Sequence, residues 1–189
     1  YVLDELLKSN KQELFLQLIL PNNEDYLDIK YNLISPEATI AKLADNLPDN
    51  ISPLEVVLSG SITAKEDFII AALAHTEDVL FTISKLLTKK GYSYVYPDAI
   101  SSISRNMKLL INKDTIKRGC TIEVFSKIMT FSSNYPAMRK HFLAVLIEDA
   151  AENPEKKEQL INFAIHLANT DSMGYDLQNF LSSNALAVA

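Results

Sequence analysis

An all-α fold is predicted by three observations. Helix-start signals recur along the chain, apolar residues between them repeat at helical spacing, and the 189 residues include only four glycines. So few glycines leave little room for tight hairpins or phosphate-cradling loops. The expected architecture is about ten short antiparallel helices in a compact multi-helix stack, with paired-helix solenoid character of the HEAT or armadillo kind.

The start signals have a common logic: a side chain that accepts a hydrogen bond, then residues that tolerate the donor-rich first turn. Ser9-Asn10-Lys11-Gln12 is a weak capping box, and Ser35-Pro36-Glu37 places a hydroxyl before a proline that needs no donor at the first helical position. Ser52-Pro53-Leu54-Glu55 repeats the device and adds a capping-box glutamate, and Thr63-Ala64-Lys65-Glu66 is a further box. Asn134-Tyr135-Pro136 and Asn153-Pro154-Glu155 read as later starts, whereas Lys89-Lys90-Gly91 is a stop.

Between these signals the apolar stripes are helical. Ile40, Leu43, Ala44 and Leu47 follow the i, i+3, i+4, i+7 rule, as do Ile100, Ile103, Met107 and Leu110. Val79, Ile83, Leu86 and Leu87 form a third stripe; Met138, Phe142, Val145 and Leu146 a fourth; and Leu160, Phe163, Ala164, Leu167 and Ala168 a fifth. In order, the helices expected are 2–8, 10–20, 36–46, 53–59, 64–74, 77–90, 98–112, 115–131 with a break at Gly119, 136–151, 155–169 and 172–183. Phe68–Ala74 is apolar all round and is expected to be the central buried helix. Tyr92-Ser93-Tyr94-Val95-Tyr96 alternates over too short a span for more than an extended connector. Proline-led starts at 36 and 53, then 136 and 154, lie 17 and 18 residues apart, the length of one helix and a turn. No side-chain signature repeats at that period.

Hydrophobic residues make up 48% and charged residues 22%, proportions that bury a core and argue against disorder. Cys120 is the sole cysteine, which excludes an intramolecular disulfide and fits a reducing, cytoplasmic compartment. No apolar run approaches the ~20 residues of a membrane-spanning helix, and no signal peptide opens the chain. Tyr1 stands where an initiator methionine would, so residues 1–189 are read as one all-helical domain taken from a longer protein. Abundant Lys, Asn, Ile and Ser suggest an AT-rich coding genome, which fits a microbial effector delivered into a host cytosol.

Charge is distributed unevenly. Residues 79–140 carry eleven Lys/Arg against three acids, whereas residues 1–78 carry five against fourteen and residues 141–189 two against seven. A basic middle therefore lies between two acidic flanks. Arg105 and Lys108 are predicted to face away from the stripe of Ile100 and Ile103, with Lys117 and Arg118 one turn further on and Lys89 and Lys90 ending the preceding helix. Tyr92 and Tyr94 add amphipathic rings beside these cations. Together Lys89, Lys90, Tyr92, Tyr94, Arg105, Lys108, Lys117 and Arg118 form the expected partner-binding surface.

The function expected is a non-catalytic interaction or scaffold domain offering that surface to an acidic protein segment. The alternative is an anionic, phosphoinositide-bearing membrane, and the competing structural expectation is that the acidic flanks neutralise the basic middle internally. Nucleic acid is disfavoured by the isoelectric point near 5.1. An enzyme with a dispersed site is the third reading, since no nucleophile elbow, Walker or dinucleotide pattern occurs. No catalytic residue, cofactor or metal site is expected: His75, His141 and His166 lack ligand spacing. His141 and Glu148 fall on one helix face but read as solvated groups, Cys120 as a buried inert thiol, and the Glu24-Asp25-Asp28 and Glu148-Asp149-Glu152 clusters as charged helix faces.

Overall fold

Among the described residues every regular element is a helix, and five of the helices begin on a bonded side-chain cap. The computed structural model describes residues 2–8, 11–60, 65–88, 97–132 and 135–169. The helices are α1 (Val2–Lys8), α2 (Gln12–Ile19), α3 (Asn23–Lys30), α4 (Pro36–Asn46), α5 (Pro53–Leu58), α6 (Glu66–Ala74) and α7 (Val79–Thr88). They continue as α8 (Pro97–Arg105), α9 (Met107–Leu110), α10 (Lys113–Arg118), α11 (Ile122–Phe131), α12 (Pro136–Glu152) and α13 (Lys157–Asn169), with a 3-10 turn at Pro154–Lys156.

Ser35 accepts from the Ala38 amide at 3.1 Å, Ser52 from Glu55 at 3.2 Å and Thr121 from Val124 at 3.2 Å. Each satisfies one of the donors that a helix start leaves without an intrahelical partner. Asn112 and Thr115 complete a reciprocal capping box at α10, each side chain bonding the other's backbone amide at 3.0 Å. The boxes expected at Ser9 and Thr63 have their first residues outside the described ones; Lys11 and Lys65 occupy the cap positions without a side-chain bond.

Three expectations are corrected. The sequence pattern missed α3, whose buried apolar positions are only Tyr26 and Ile29; its start is set by Asn22, which accepts from the Glu24 amide at 2.9 Å. Its end is a Schellman motif: Asn32 takes the left-handed conformation at φ 52°, while Leu33 N–H reaches the Asp28 carbonyl at 2.9 Å and Asn32 N–H that of Ile29 at 3.3 Å. The expected helix 98–112 is divided at Asn106 into α8 and α9. The apolar run Phe68–Ala74 is not the central buried helix, because Ile70 on α6 is 51% exposed. The enclosed helix is α5, all six of whose residues are buried.

Neighbours in sequence pack together from α1 through α5, and α6 lies against α4 and α5. The N-terminal and C-terminal parts of the chain then meet on α7, which packs on α5, α8, α10 and α11. The α12–α13 pair closes the C-terminal side over α10 and α11. One apolar core runs through all of it, from Leu7, Phe15 and Leu54 to Phe125, Phe142 and Phe163. Phe125 stacks on Phe163 with ring centroids 4.2 Å apart and meets Phe142 at 5.9 Å, joining α11, α12 and α13.

Candidate functional site

Part of the basic middle is committed to holding helices together. Lys85 on α7 reaches back to the acidic N-terminal flank, with its Nζ 2.9 Å from Glu55 Oε2, 3.0 Å from the Asn50 carbonyl and 3.4 Å from Asp4 Oδ1. Lys113 on α10 pairs with Glu152 at the end of α12, in the acidic C-terminal flank. That pairing holds the Glu152 carboxyl below its ordinary range and the Lys113 ammonium above its own, and the nearby Lys117 adds to the field on Glu152.

Three further groups serve as caps. Arg118 donates to the carbonyls of Leu73 and Thr76 at the end of α6, at 3.1 and 3.0 Å, and pairs with Asp114 one turn back at 2.9 Å. Arg139, buried on α12, donates to the Met129 carbonyl near the end of α11. His141 Nε2 lies 2.8 Å from the carbonyl of Ile111, the C-cap residue just after α9. A carbonyl only accepts, so this nitrogen carries the proton. Cations and N–H donors at helix C-termini meet both the unpaired carbonyls and the negative end of the dipole.

Of the expected partner-binding residues, Lys89, Lys90, Tyr92 and Tyr94 lie outside the described residues. Arg105, Lys108 and Lys117 are exposed and have no ion pair among the described residues, as the stripe of buried Ile103 and Leu110 predicts for the first two. Arg118 is exposed as well but is held by the three contacts above. Four cations of the basic middle therefore project from α8–α10, with Arg118 anchored and Arg105 and Lys108 extending freely beside each other in sequence.

A second feature was not foreseen. A cleft of about 700 Å³ opens between the loop before α5, the turn joining α6 to α7, and the outer side of α7. Five carboxylates line it, those of Asp4, Asp49, Glu55, Glu77 and Asp78, against the single lysine Lys85. Lys85 sits at its inner end beside Glu55, whose side chain is only 2% exposed. The Lys85 Nζ has three acceptors within hydrogen-bond reach, which suits a structural cation. At the rim stands Phe81, 52% exposed on a helix whose other apolar residues are buried. The stripe Val79, Ile83, Leu86, Leu87 omits residue 81, and that omission was the available signal.

The remaining reactive groups are quiet. Burial pushes the Cys120 thiol up to about 12, and the charge of Lys156 offsets this only in part. Glu148 is exposed while His141 is engaged with Ile111, so they form no base–carboxylate pair. Lys42 bridges Asp25 and Asp28, which accounts for the first acidic cluster as a salt-bridged helix face. Among the described residues no group of three His, Cys, Asp or Glu side chains is arranged to hold a metal ion, and no helix is long and apolar enough to cross a membrane. The chain matches no family model, no curated protein and no solved structure.

Proposed function

We propose that the chain is a non-catalytic helical interaction module that presents Arg105, Lys108 and Lys117 to an acidic segment of a partner protein. The observation that supports it is the contrast within the basic middle. Lys85, Lys113, Arg118 and Lys127 each have a carboxylate within 4.0 Å, whereas Arg105 and Lys108 are exposed without one among the described residues. Cations that a fold does not use are available to steer and register a partner of opposite charge. Lys89, Lys90, Tyr92 and Tyr94 belong to the same proposed surface through their place in the sequence between α7 and α8.

The rigid frame behind those cations supports the reading, since α8–α10 rest on α7 and α12. The helix-to-next-helix packing from α1 to α5 is the part of the fold that favours paired-helix stacking. A free, buried Cys120 suits a reducing compartment.

The test is capture of a partner by the chain and by its Arg105→Glu/Lys108→Glu variant, both checked for unchanged melting. The reading expects an acidic protein retained by the first and lost by the second, with retention falling as salt is raised. Equal recovery by both chains overturns it. Liposomes containing phosphoinositide, run in parallel, separate an anionic membrane from a protein partner.

A further inference from the structure

The acidic cleft beside α7 does not end at Phe81. A smaller hollow of about 270 Å³ lies beyond it, lined by Gly119, Thr121, Glu123 and Val124, and shares Asp78 and Phe81 with the larger one. Phe81 is thus a saddle between two adjoining hollows, exposed over half its surface and flanked by acids. Lys85 answers Asp4 and Glu55 at the inner end, and Lys127 answers Glu123 at the far end. Asp49, Glu77 and Asp78 are exposed and have no ion pair among the described residues. The middle of the groove therefore has uncompensated negative charge around an aromatic face.

We infer that this groove docks an extended, arginine-bearing segment of a partner protein, with one guanidinium seated on the Phe81 ring between Asp78 and Glu77. Charge selects the occupant: five carboxylates against one lysine in the larger hollow repel an acidic segment and strip the benefit from burying an apolar helix. The aromatic saddle selects arginine over lysine. A planar guanidinium stacks on a ring while its edge donors reach carboxylates on either side, a geometry that an ammonium cannot reproduce. In an extended segment alternate side chains point the same way, so a second cation two residues on is directed toward the neighbouring hollow. A bare metal ion is a poorer fit, because no three carboxylates here converge in ligand geometry.

The experiment titrates the full chain with a peptide of alternating arginine and serine, its ends blocked, followed by amide and aromatic NMR shifts. Saturable shifts centred on Asp78, Phe81 and Thr121 are expected. Phe81→Ala should weaken binding about 3- to 30-fold, and Glu77→Gln/Asp78→Asn about tenfold. The lysine–serine peptide should bind at least about threefold more weakly than the arginine one. All three substituted residues are exposed, and melting curves of the variants verify that the fold is kept. Non-saturating shifts, shifts centred elsewhere, or equal affinity of the wild type and Phe81→Ala overturn the inference. So does concentration-dependent self-association that the same substitutions abolish, which would make a second copy of the chain the occupant.

Discussion

Arg118 Nη1 donates to the carbonyl of Leu73 at 3.1 Å, tying the end of α10 to the end of α6 across 45 positions of sequence. The same nitrogen reaches the Thr76 carbonyl at 3.0 Å, so one guanidinium satisfies two acceptors at a helix terminus. Hydrogen bonds from a charged donor are worth more than neutral ones, though partial exposure here reduces the gain. Arg118→Met should lower unfolding free energy by about 1–2 kcal/mol. Arg118→Lys should recover less than half of that, because a single ammonium lacks the planar fork. Urea melts of the three chains measure both.

The Glu55–Lys85 pair should behave as a buried ion pair does. Glu55 is enclosed, so removing Lys85 takes a charge partner from a carboxylate shielded from water. Lys85→Met is expected to cost about 3 kcal/mol. Adding Glu55→Leu to it should cost less than the sum of the single changes, since the carboxylate that lost its lysine is then gone. A double-mutant cycle by chemical denaturation gives the coupling, and strict additivity would show that the two side chains act separately.

Cys120 predicts a pH effect with a definite sign. The folded thiol is held up to about 12, above its ordinary value of 9.0, so the folded state binds the proton more tightly than the unfolded one. Its contribution to stability is full below the unfolded pKa and is lost as pH rises from there through the folded value. Between pH ~9 and ~11 the native chain should lose stability more steeply than Cys120→Ala, by about 1.4 kcal/mol per pH unit. A disulfide reagent at pH 8 should modify the thiol only at the rate of unfolding. Rapid modification of the folded chain would contradict this burial.

Asn32 offers a backbone test. Its φ of 52° is a conformation that costs a β-branched residue about 1–2 kcal/mol. Asn32→Val should therefore destabilise the chain by roughly that amount, while Asn32→Gly should lie within about 0.5 kcal/mol of the parent. Thermal melts separate the two readily.

Local signals made much of the helical frame legible. The caps Ser35 and Ser52, each followed by proline, place the starts of α4 and α5 at Pro36 and Pro53, because a hydroxyl acceptor and a missing amide are sufficient instructions within a few residues. Where the determinant was not local, the pattern misled. α3 offers two buried apolar residues over eight and is held by Tyr26 bonding Glu13 and by Lys42 bridging Asp25 and Asp28, contacts that only the folded chain brings together. The apolar run in α6 gave no sign that Ile70 would be left on the outside, since hydrophobicity does not state how many neighbours a helix receives. Arg105 and Lys108 were readable as outward-facing from the stripe opposite them. That Arg118 and Lys85 would be tied to distant parts of the fold was not, for those partners lie 30 to 81 residues away. The groove around Phe81 joins four separate stretches of chain and has no linear signature beyond one phenylalanine out of phase.

The reach of Lys85 also bears on how the chain is made. Its two carboxylate partners precede it by 81 and 30 residues, so both are synthesised before the lysine exists. At about 5–20 residues per second, Asp4 waits roughly 4–16 s for it. Until Lys85 has emerged, Glu55 lacks the ammonium that meets it in the finished fold, so α5 has not reached its final surroundings. The order of translation thus separates α5 from its lysine until α7 has emerged, and a pause after α5 has left the ribosome but before α7 has would lengthen the time that nascent α5 stands open to chaperones.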